Sequence, residues 1–308
     1  LLEREALSSR YREIRAATEQ LCAPLTPEDC AIQSMPDASP AKWHLAHTTW
    51  FFETLVLERR PDYEPFDPSF RVLFNSYYNS VGDQYPRPQR GLLSRPSLDE
   101  VRAYRAYVDG ALLSLLEEGE PDAEVQGVVE LGLHHEQQHQ ELLVTDVLHM
   151  LSHNPLEPAW FAKPELPPPV DPAPLRWSGL SAGVRCIGHE GSGFAFDNER
   201  PRHRAYVSDF ELASRTVTNG EYLAFMEDGG YRRPELWLSD GWAAVQERGW
   251  QSPLYWRRDP SGWLIFTAGG TRPVRSDEPV CHVSYFEADA YARWSGARLP
   301  TEAEWECV

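Results

Sequence analysis

Positive charge is scarce in this chain: 29 Lys plus Arg stand against 47 Asp plus Glu over 308 residues, a formal net charge of −18. A nucleic-acid binder needs a basic face to recruit phosphates, so no nucleic-acid partner is expected. Cysteine is sparse as well. The five, Cys22, Cys30, Cys186, Cys281 and Cys307, include no CxxC pair and are odd in number, which argues against a disulfide framework and against a thiolate zinc site. No apolar run approaches the roughly 18 to 20 residues of a spanning helix, and the opening LLEREALSSRYREIR is charged and amphipathic rather than signal-like. No membrane partner is therefore expected, and a reducing, cytoplasmic setting fits. Residue 1 is leucine rather than methionine, so the natural start is expected upstream. With 42% hydrophobic and 12% aromatic residues the chain has the apolar surface for a sizeable core, and its length suits two domains.

The first half reads as helices. Leu2, Ala6, Tyr11, Ile14, Ala17 and Leu21 recur at helical spacing and predict one amphipathic helix over about residues 1–21. A second helix is expected after Ser39, with Pro40 at its first position, running through AKWHLAHTTWFFETLVLERR. Ser97 and Glu100 form a capping box for a third, ending near Gly119, and a fourth runs from about Asp122 through VVELGLHHEQQHQELLVTDVLHMLSH. Four long helices suggest a bundle, whose interior often holds metal ligands on facing helices. The connection over roughly residues 61–96 is too long to be inert, and FRVLFNSYYNS within it is a candidate short helix. Eight prolines between Pro155 and Pro174 forbid a regular helix and mark a stiff linker. The expected division is a four-helix domain over 1–154, a proline-rich linker over 155–175 and a mixed α+β domain over 176–308. In that last part short apolar stretches alternate with Gly, Pro and Asp, and Trp237, Trp242, Trp250, Trp256 and Trp263 are expected mostly as core. Two helices stand out there, after the capping boxes Thr218/Glu221 and Ser284/Glu287.

Seven of the ten histidines lie in the helical half, densest in His134-His135-Glu136-Gln137-Gln138-His139-Gln140-Glu141. At about 100° per residue, His135 and His139 are one turn and about 40° apart, so both imidazoles leave one stripe of the helix. Val128, Leu131, Gln138 and Leu142 share that stripe and make it inward-facing by expectation. Two neutral imidazoles at this spacing form a bidentate metal clamp. Glu141 lies about 240° round from His135, too far to join them, and is better placed to orient a neighbour. A third ligand has to come from another helix, and WHLAHTTWFFE offers His44 and His47, between which periodicity does not choose. His149 and His153 repeat the spacing at the helix end, where a cap against the dipole suffices.

Three imidazoles leave about three coordination positions open, which suits catalytic zinc or non-haem iron, and both stay open at this point. The run His135-Glu136-Gln137-Gln138-His139 is formally HExxH. A zincin, however, takes its third ligand downstream and needs an edge strand for a peptide, whereas the candidates here lie far upstream on another bundle helix. A metalloprotease is disfavoured on that ground.

Taken in order, KWHLAHTTWFFETLVL, FNSYYNSVG, YPRPQRGLLSRPSLDEV, HHEQQHQELLVTDVLHML, FDNERPRH, RTVTNGEYLAFMEDGGY and HVSYFEADAYARWSGARLPTEAEWE are co-linear over nearly the whole chain with a known family. The sequence resembles the ergothioneine-type sulfoxide synthases, which join a DinB-like four-helix domain to a formylglycine-generating-enzyme-like domain of C-type-lectin-like fold. Each motif is weak alone; the ordered set is specific. The resemblance implies iron(II) on His47, His135 and His139, with O2 as co-substrate. The implied reaction joins a thiol donor, cysteine or γ-glutamylcysteine, to the imidazole of Nα-trimethylhistidine (hercynine) and gives a sulfoxide.

Gln138 corresponds to the family glutamine that holds the substrate imidazole. Residues 84–98 contain Arg87, Arg90 and Arg95 and no acid, a local anion site in an acidic chain. The resemblance assigns Arg87 and Arg90 to the thiol substrate's carboxylate and leaves Arg95 to structure. Tyr77 and Tyr78 resemble the tyrosine pair from which some relatives draw a proton donor. A trimethylammonium group calls for aromatic faces, for which Tyr77, Tyr78, Trp50 and the later tryptophans are the pool. The family pattern continues past RLPTEAEWE with Gly-, Trp- and Arg-rich stretches, so on this expectation the second domain is incomplete at Val308. Competing expectations are a selenoneine synthase with a selenosugar donor, a zinc-dependent DinB-like thiol transferase, and a non-catalytic lectin-like binding protein. The oligomeric state is not legible.

Overall fold

The computed structural model describes the chain apart from Leu1, Glu120 and Pro164, and the side chains of the described residues other than 2–5. The side chain of Leu2 in the first predicted stripe and Pro164 of the proline run lie outside the described residues. The chain divides between Ala162 and Lys163 into two compact units. Among the described residues no helix is long and apolar enough to cross a membrane.

The first unit is a four-helix bundle built from α1 (Leu2–Cys22), α2 (Ala41–Leu55), α4 (Leu98–Glu117) and α5 (Ala123–Ser152), with a one-turn α3 (Phe70–Leu73) in the long connection. The caps act where the sequence places them. Ser97 Oγ accepts from Glu100 N at 3.2 Å while Glu100 Oε2 accepts from Ser97 N at 2.7 Å, and Asp122 Oδ1 accepts from Val125 N at 2.8 Å. Pro40 is the N-cap of α2 rather than its first residue, and the helix ends at Leu55, its continuation tightened into a 3-10 turn over Leu57–Arg59. All of α2 from Ala41 to Thr54 is buried, since α4 and α5 both pack against it, and its polar side chains Lys42, His44, His47, Thr48, Thr49, Glu53 and Thr54 are buried with the rest. Gly132 of α5 permits the closest of these approaches, since a Cβ there would lie 2.5 Å from the ring of Phe52.

The deepest face of α1 differs from the predicted stripe. Ser8, Tyr11, Arg15, Thr18 and Cys22 are buried, whereas Ala6 is exposed and Ile14, Ala17 and Leu21 are half-buried. An apolar count overlooks this face because it is polar and internally paired. Arg15 meets Glu136 Oε2 and Asp109 Oδ1, each at 2.8 Å, and Tyr11 donates to Asp109 Oδ1 at 2.6 Å.

Glu53 anchors the long connection: its carboxylate accepts from Tyr63 OH at 2.8 Å, Phe66 N at 3.0 Å and Tyr104 OH at 2.6 Å. Asn75 Nδ2 then bonds the carbonyls of Gly82 at 3.1 Å and Asp83 at 3.0 Å, closing the loop that bears Tyr77 and Tyr78. The candidate short helix forms only its first turn, α3, and the tyrosines follow in irregular backbone.

In the second unit, β1 (Trp177–Leu180) pairs antiparallel with β4 (Phe210–Ala213), and β2 (Gly183–Ile187) with β3 (His203–Val207). A third antiparallel sheet has the order β5 (Trp256–Asp259), β6 (Gly262–Thr267), β7 (Gly270–Pro273). Its helices are α6 (Asn219–Glu227), α7 (Ser239–Arg248), α8 (Tyr285–Trp294) and α9 (Glu302–Glu306). The mixed α+β class is as expected, but α7 was not foreseen, because SDGWAAVQER lacks a capping side chain and a clear apolar stripe. The core gathers Tyr222, Phe225, Tyr231, Leu236, Trp237, Val245 and Ala290, with Trp242 and Trp250 packed against it.

The capping box of α6 carries a testable charge. Arg215 grips Glu221 with Nη1 to Oε2 at 2.9 Å and Nη2 to Oε1 at 2.8 Å, and these hydrogen bonds hold the carboxyl down at about 2. A carboxyl lowered on folding contributes stability above its unfolded value and loses it as the pH falls through the folded one. Glu221→Gln keeps an acceptor oxygen for the capping box but removes the charge that Arg215 grips, and is therefore expected to destabilise the protein by about 0.2 to 1 kcal/mol at pH 7. In melts run from pH 7 downward, the gap from the parent should close toward pH 2; a gap independent of pH would mean that shape rather than charge matters.

Candidate metal centre

Helices α2 and α5 face each other and bring four histidines together. One ring nitrogen from each of His47, His135 and His139 lies within 4.8 Å of the other two. His47 is held on three sides. Its ring stacks on Trp43 at 4.5 Å and Trp50 at 5.6 Å, and its Nδ1 donates to the carbonyl of Phe74 at 2.6 Å. That bond assigns the proton to Nδ1 and leaves Nε2 with its lone pair.

His139 is oriented in the same sense: its Nδ1 lies 2.9 Å from Nδ1 of His44, whose Nε2 lies 3.0 Å from Oδ2 of Asp146. His135 Nδ1 is buried without a hydrogen-bond partner. Burial depresses the proton affinity of all three rings. It holds His135 at about 4, and it acts on His47 and His139 together with the charge their neighbours would carry. Three neutral imidazoles, one with an orphaned buried nitrogen, are the donor set a divalent transition metal takes. The residues fit such an ion.

Periodicity left His44 and His47 as equal candidates, and the tertiary packing separates them. Both nitrogens of His44 are engaged, one by a histidine and one by a carboxylate, so it stands behind the cluster rather than in it. The orienting carboxylate is Asp146, whereas Glu141, expected in that role, is exposed. Asp146 was missed, although it follows His139 by seven residues, two helical turns, and so returns to the same side of α5.

The cluster opens into a cavity of about 320 Å³ lined by Trp43, His44, Ser39, Ser76, Tyr77, Tyr78, Arg87, Arg90 and Leu142 besides the three histidines. Of the predicted residues, His47, His135, His139, Tyr77, Tyr78, Arg87 and Arg90 therefore meet at one place. Gln138 is exposed and does not line the cavity, although it is one turn from both His135 and Leu142. The stripe expected to face inward is in fact a flank, with Leu131 39% and Leu142 43% exposed. The buried face of α5 runs instead through Val129, Gly132, Leu133, Glu136, Leu143 and Val147. Histidines on the flank can meet both the core and an open cavity, as a site that admits substrates requires. Trp50 is fully buried and donates to the carbonyl of Arg71 at 3.0 Å, which removes it from the pool of cavity aromatics.

Arg90 is the cationic wall. It is 4% exposed, its guanidinium lies 3.3 Å over the ring of Trp43, and its Nη groups donate to Ser39 Oγ and Ser76 Oγ, each at 3.0 Å. No ion pair to it forms among the described residues, and burial, helped by Arg87, pulls its proton affinity down to about 10. A buried cation without a counter-ion invites an anionic ligand. Arg87 donates to Tyr77 OH at 2.9 Å and to the carbonyl of Asp37. Tyr78 packs against Trp50 at 5.3 Å and His135 at 6.2 Å between ring centres, and burial pushes its phenol up to about 12, so it stays protonated. Arg95 is exposed and outside the cavity.

Glu136, the glutamate of the formal HExxH, turns away from the cluster. Its oxygens accept from Arg15 Nη1 at 2.8 Å, Arg105 Nη2 at 2.6 Å and Thr18 Oγ1 at 2.6 Å. Burial alone would raise its carboxyl, but the two arginines hold it at about 2. A carboxylate so committed cannot serve as the general base that the protease motif requires. At the far end of α5, His153 Nδ1 bonds the carbonyl of His149 at 2.8 Å, the cap expected there.

Comparison with known proteins agrees with this architecture. Residues 10–143 match the DinB superfamily, and residues 179–308 match the sulfatase-modifying factor enzyme 1-like domain. A metal-capable helical bundle joined to such a domain defines the class. The chain is 35% identical over 277 residues to a hercynine oxygenase of Mycolicibacterium thermoresistibile, covering 88% of this chain and 58% of that protein. It is 34% identical over 307 residues to the hercynine oxygenase of Mycobacterium tuberculosis, covering 98% of this chain and 69% of the relative. With that of Mycolicibacterium smegmatis the identity is 32% over 312 residues, covering 99% and 69%. The chain belongs to the hercynine oxygenase family. It spans 58 to 69% of the length of these relatives.

Proposed function

We propose that this chain is an iron(II)- and O2-dependent sulfoxide synthase that joins a small thiol, cysteine or γ-glutamylcysteine, to the imidazole of hercynine in ergothioneine biosynthesis. The observation that carries the reading is the convergence of three neutral imidazoles on a cavity that is also lined by a buried arginine without an ion pair among the described residues. When bound, iron(II) supplies the redox chemistry with O2 that side chains lack.

His47, His135 and His139 hold the ion by one ring nitrogen each, and their other contacts fix how the rings face. Arg90, with Arg87 beside it, takes the carboxylate of the thiol donor and so sets the distance of its sulfur from the histidines. Tyr78, protonated and packed against His135, is the proton donor nearest the reacting atoms; Tyr77 is drawn toward Arg87 and acts on the substrate's position. Gln138 is exposed and outside the cavity lining, so no part in holding the substrate imidazole is assigned to it. The five cysteines are free, which suits a cytoplasmic enzyme handling thiols.

The test is anaerobic loading of the chain with iron(II), followed by oxygen uptake with hercynine plus cysteine, γ-glutamylcysteine or a selenosugar, the products being weighed by mass spectrometry. A sulfoxide from one thiol is the expected result and identifies the donor. A selenium product reassigns the donor, and the absence of uptake with all three, or zinc preferred to iron, overturns the reading. Arg90→Met is expected to raise KM for the thiol by about 10- to 100-fold, the size of a lost charged hydrogen bond, while iron binding is unchanged. An unaltered KM would remove Arg90 from donor recognition.

A further inference from the structure

His44 and Asp146 have no place in the ligand set, yet they are bonded to it in a line. We propose that Asp146 and His44 form a hydrogen-bond relay that fixes the tautomer of His139, making both positioning residues of the metal centre. The inference rests on the reading of His47, His135 and His139 as metal ligands.

The argument follows from which atoms can donate. An ionised carboxylate only accepts, so the 3.0 Å contact of Asp146 Oδ2 with His44 places a proton on His44 Nε2. In the neutral ring, Nδ1 of His44 is then a lone pair. The 2.9 Å contact between His44 Nδ1 and His139 Nδ1 therefore has its proton on His139, and Nε2 of His139 is left free to ligate. With His44 neutral, one assignment satisfies the whole line; turning the bond toward His139 around would need a second proton on His44.

The end of the line is itself anchored. The backbone N–H of Ser39 donates to the same Oδ2 of Asp146 at 2.8 Å, so two donors converge on one oxygen and the carboxylate cannot rotate without losing both. Ser39 also accepts from Arg90 through its hydroxyl, which ties the relay to the cationic wall of the cavity. His44 is 2% exposed, so water does not readily replace either of its partners. His47 reaches the same tautomer through a backbone carbonyl; His139 does so through two side chains, which mutation can remove.

The experiment pairs variants that keep the acceptor with variants that delete it. His44→Asn retains an oxygen where Nδ1 stood, and His44→Leu does not; Asp146→Asn retains an oxygen facing Ser39 N–H and His44, and Asp146→Leu does not. Melting curves establish that each variant is folded. Nitrogen-15 histidine spectra of the metal-free chain then give the tautomer of His139, and titration with cobalt(II) alone gives affinity and ligand-field absorption.

The expected result is an Nδ1–H tautomer for His139 in the parent and both Asn variants. Both Leu variants should revert toward the ordinary Nε2–H form and bind cobalt about 10- to 100-fold more weakly, as partners behind metal-ligating histidines do. An Nε2–H tautomer in the parent, or four variants that bind cobalt as the parent does, overturns the relay. A parent that takes up neither cobalt nor iron overturns the reading of the centre itself, and with it any role of the relay toward a metal. The two failures differ in whether the parent binds.

Discussion

Replacing His135 with alanine is expected to abolish iron retention after gel filtration and to remove oxygen uptake with it, while the melting temperature stays close to that of the parent. His135 supplies one of the three converging nitrogens, and its Nδ1 has no protein partner to leave behind. Removing a ligand should exceed the 10- to 100-fold loss typical of the groups that merely orient ligands. The residue sits on the flank of α5 beside an open cavity, so its deletion enlarges a space that already exists instead of hollowing the core. Retained iron with full turnover would exclude His135 from the centre. Hercynine binding that persists unchanged without iron would favour the reading of the chain as a binding module.

Glu136, the adjacent residue, is expected to behave in the opposite way. Glu136→Ala should cost about 3 to 5 kcal/mol of stability, because it breaks two buried ion pairs at once and leaves Arg15 only Asp109 and Arg105 only Glu19. Arg15 and Arg105 are 4% and 3% exposed at their side chains, and Glu136 is fully buried between them. For a unit of this size that loss corresponds to a fall in melting temperature of roughly 6 to 20 °C. Glu136→Gln keeps the shape and one acceptor oxygen, and should recover part of the loss. Chemical denaturation of the metal-free variants measures the effect apart from any contribution of bound metal. A cost under about 1 kcal/mol would mean that water or relaxation solvates the arginines, and loss of activity without loss of stability would return Glu136 to the chemistry.

Together the two variants separate neighbours in one motif. Residues 135 and 136 are about 100° apart on the helix, which sends one to the cavity and the other into the bundle. Read as a string, HEQQH suggests a protease; read on a helix whose buried face passes through Glu136, it does not.

Much of this was legible from local chemistry. The capping pairs Ser97/Glu100, Thr218/Glu221 and Ser284/Glu287 placed three helix starts, and Asp122 placed a fourth, because a cap depends on residues three apart and on nothing distant. The four-residue spacing of His135 and His139 likewise placed both rings one turn apart. Helix α7 escaped for the complementary reason: Leu238 at its N-cap position offers no side-chain bond. The true inner face of α1 escaped because Arg15 and Thr18 read as surface residues until their partners on α5 are known.

The sequence by itself therefore determined where most of the helices begin, that two imidazoles share one side of α5, and that cationic side chains cluster in residues 84–98. Helix periodicity left His44 and His47 open and the family resemblance favoured His47; only the tertiary structure gave the physical ground for that choice, and only it decided that Asp146 and not Glu141 stands behind the imidazoles and that Glu136 belongs to the arginines. The physical reason is one of range. Periodicity specifies the side of a helix from which a side chain departs, but its hydrogen-bond partner is set by packing. The partners of His44 are 95 and 102 residues away along the chain.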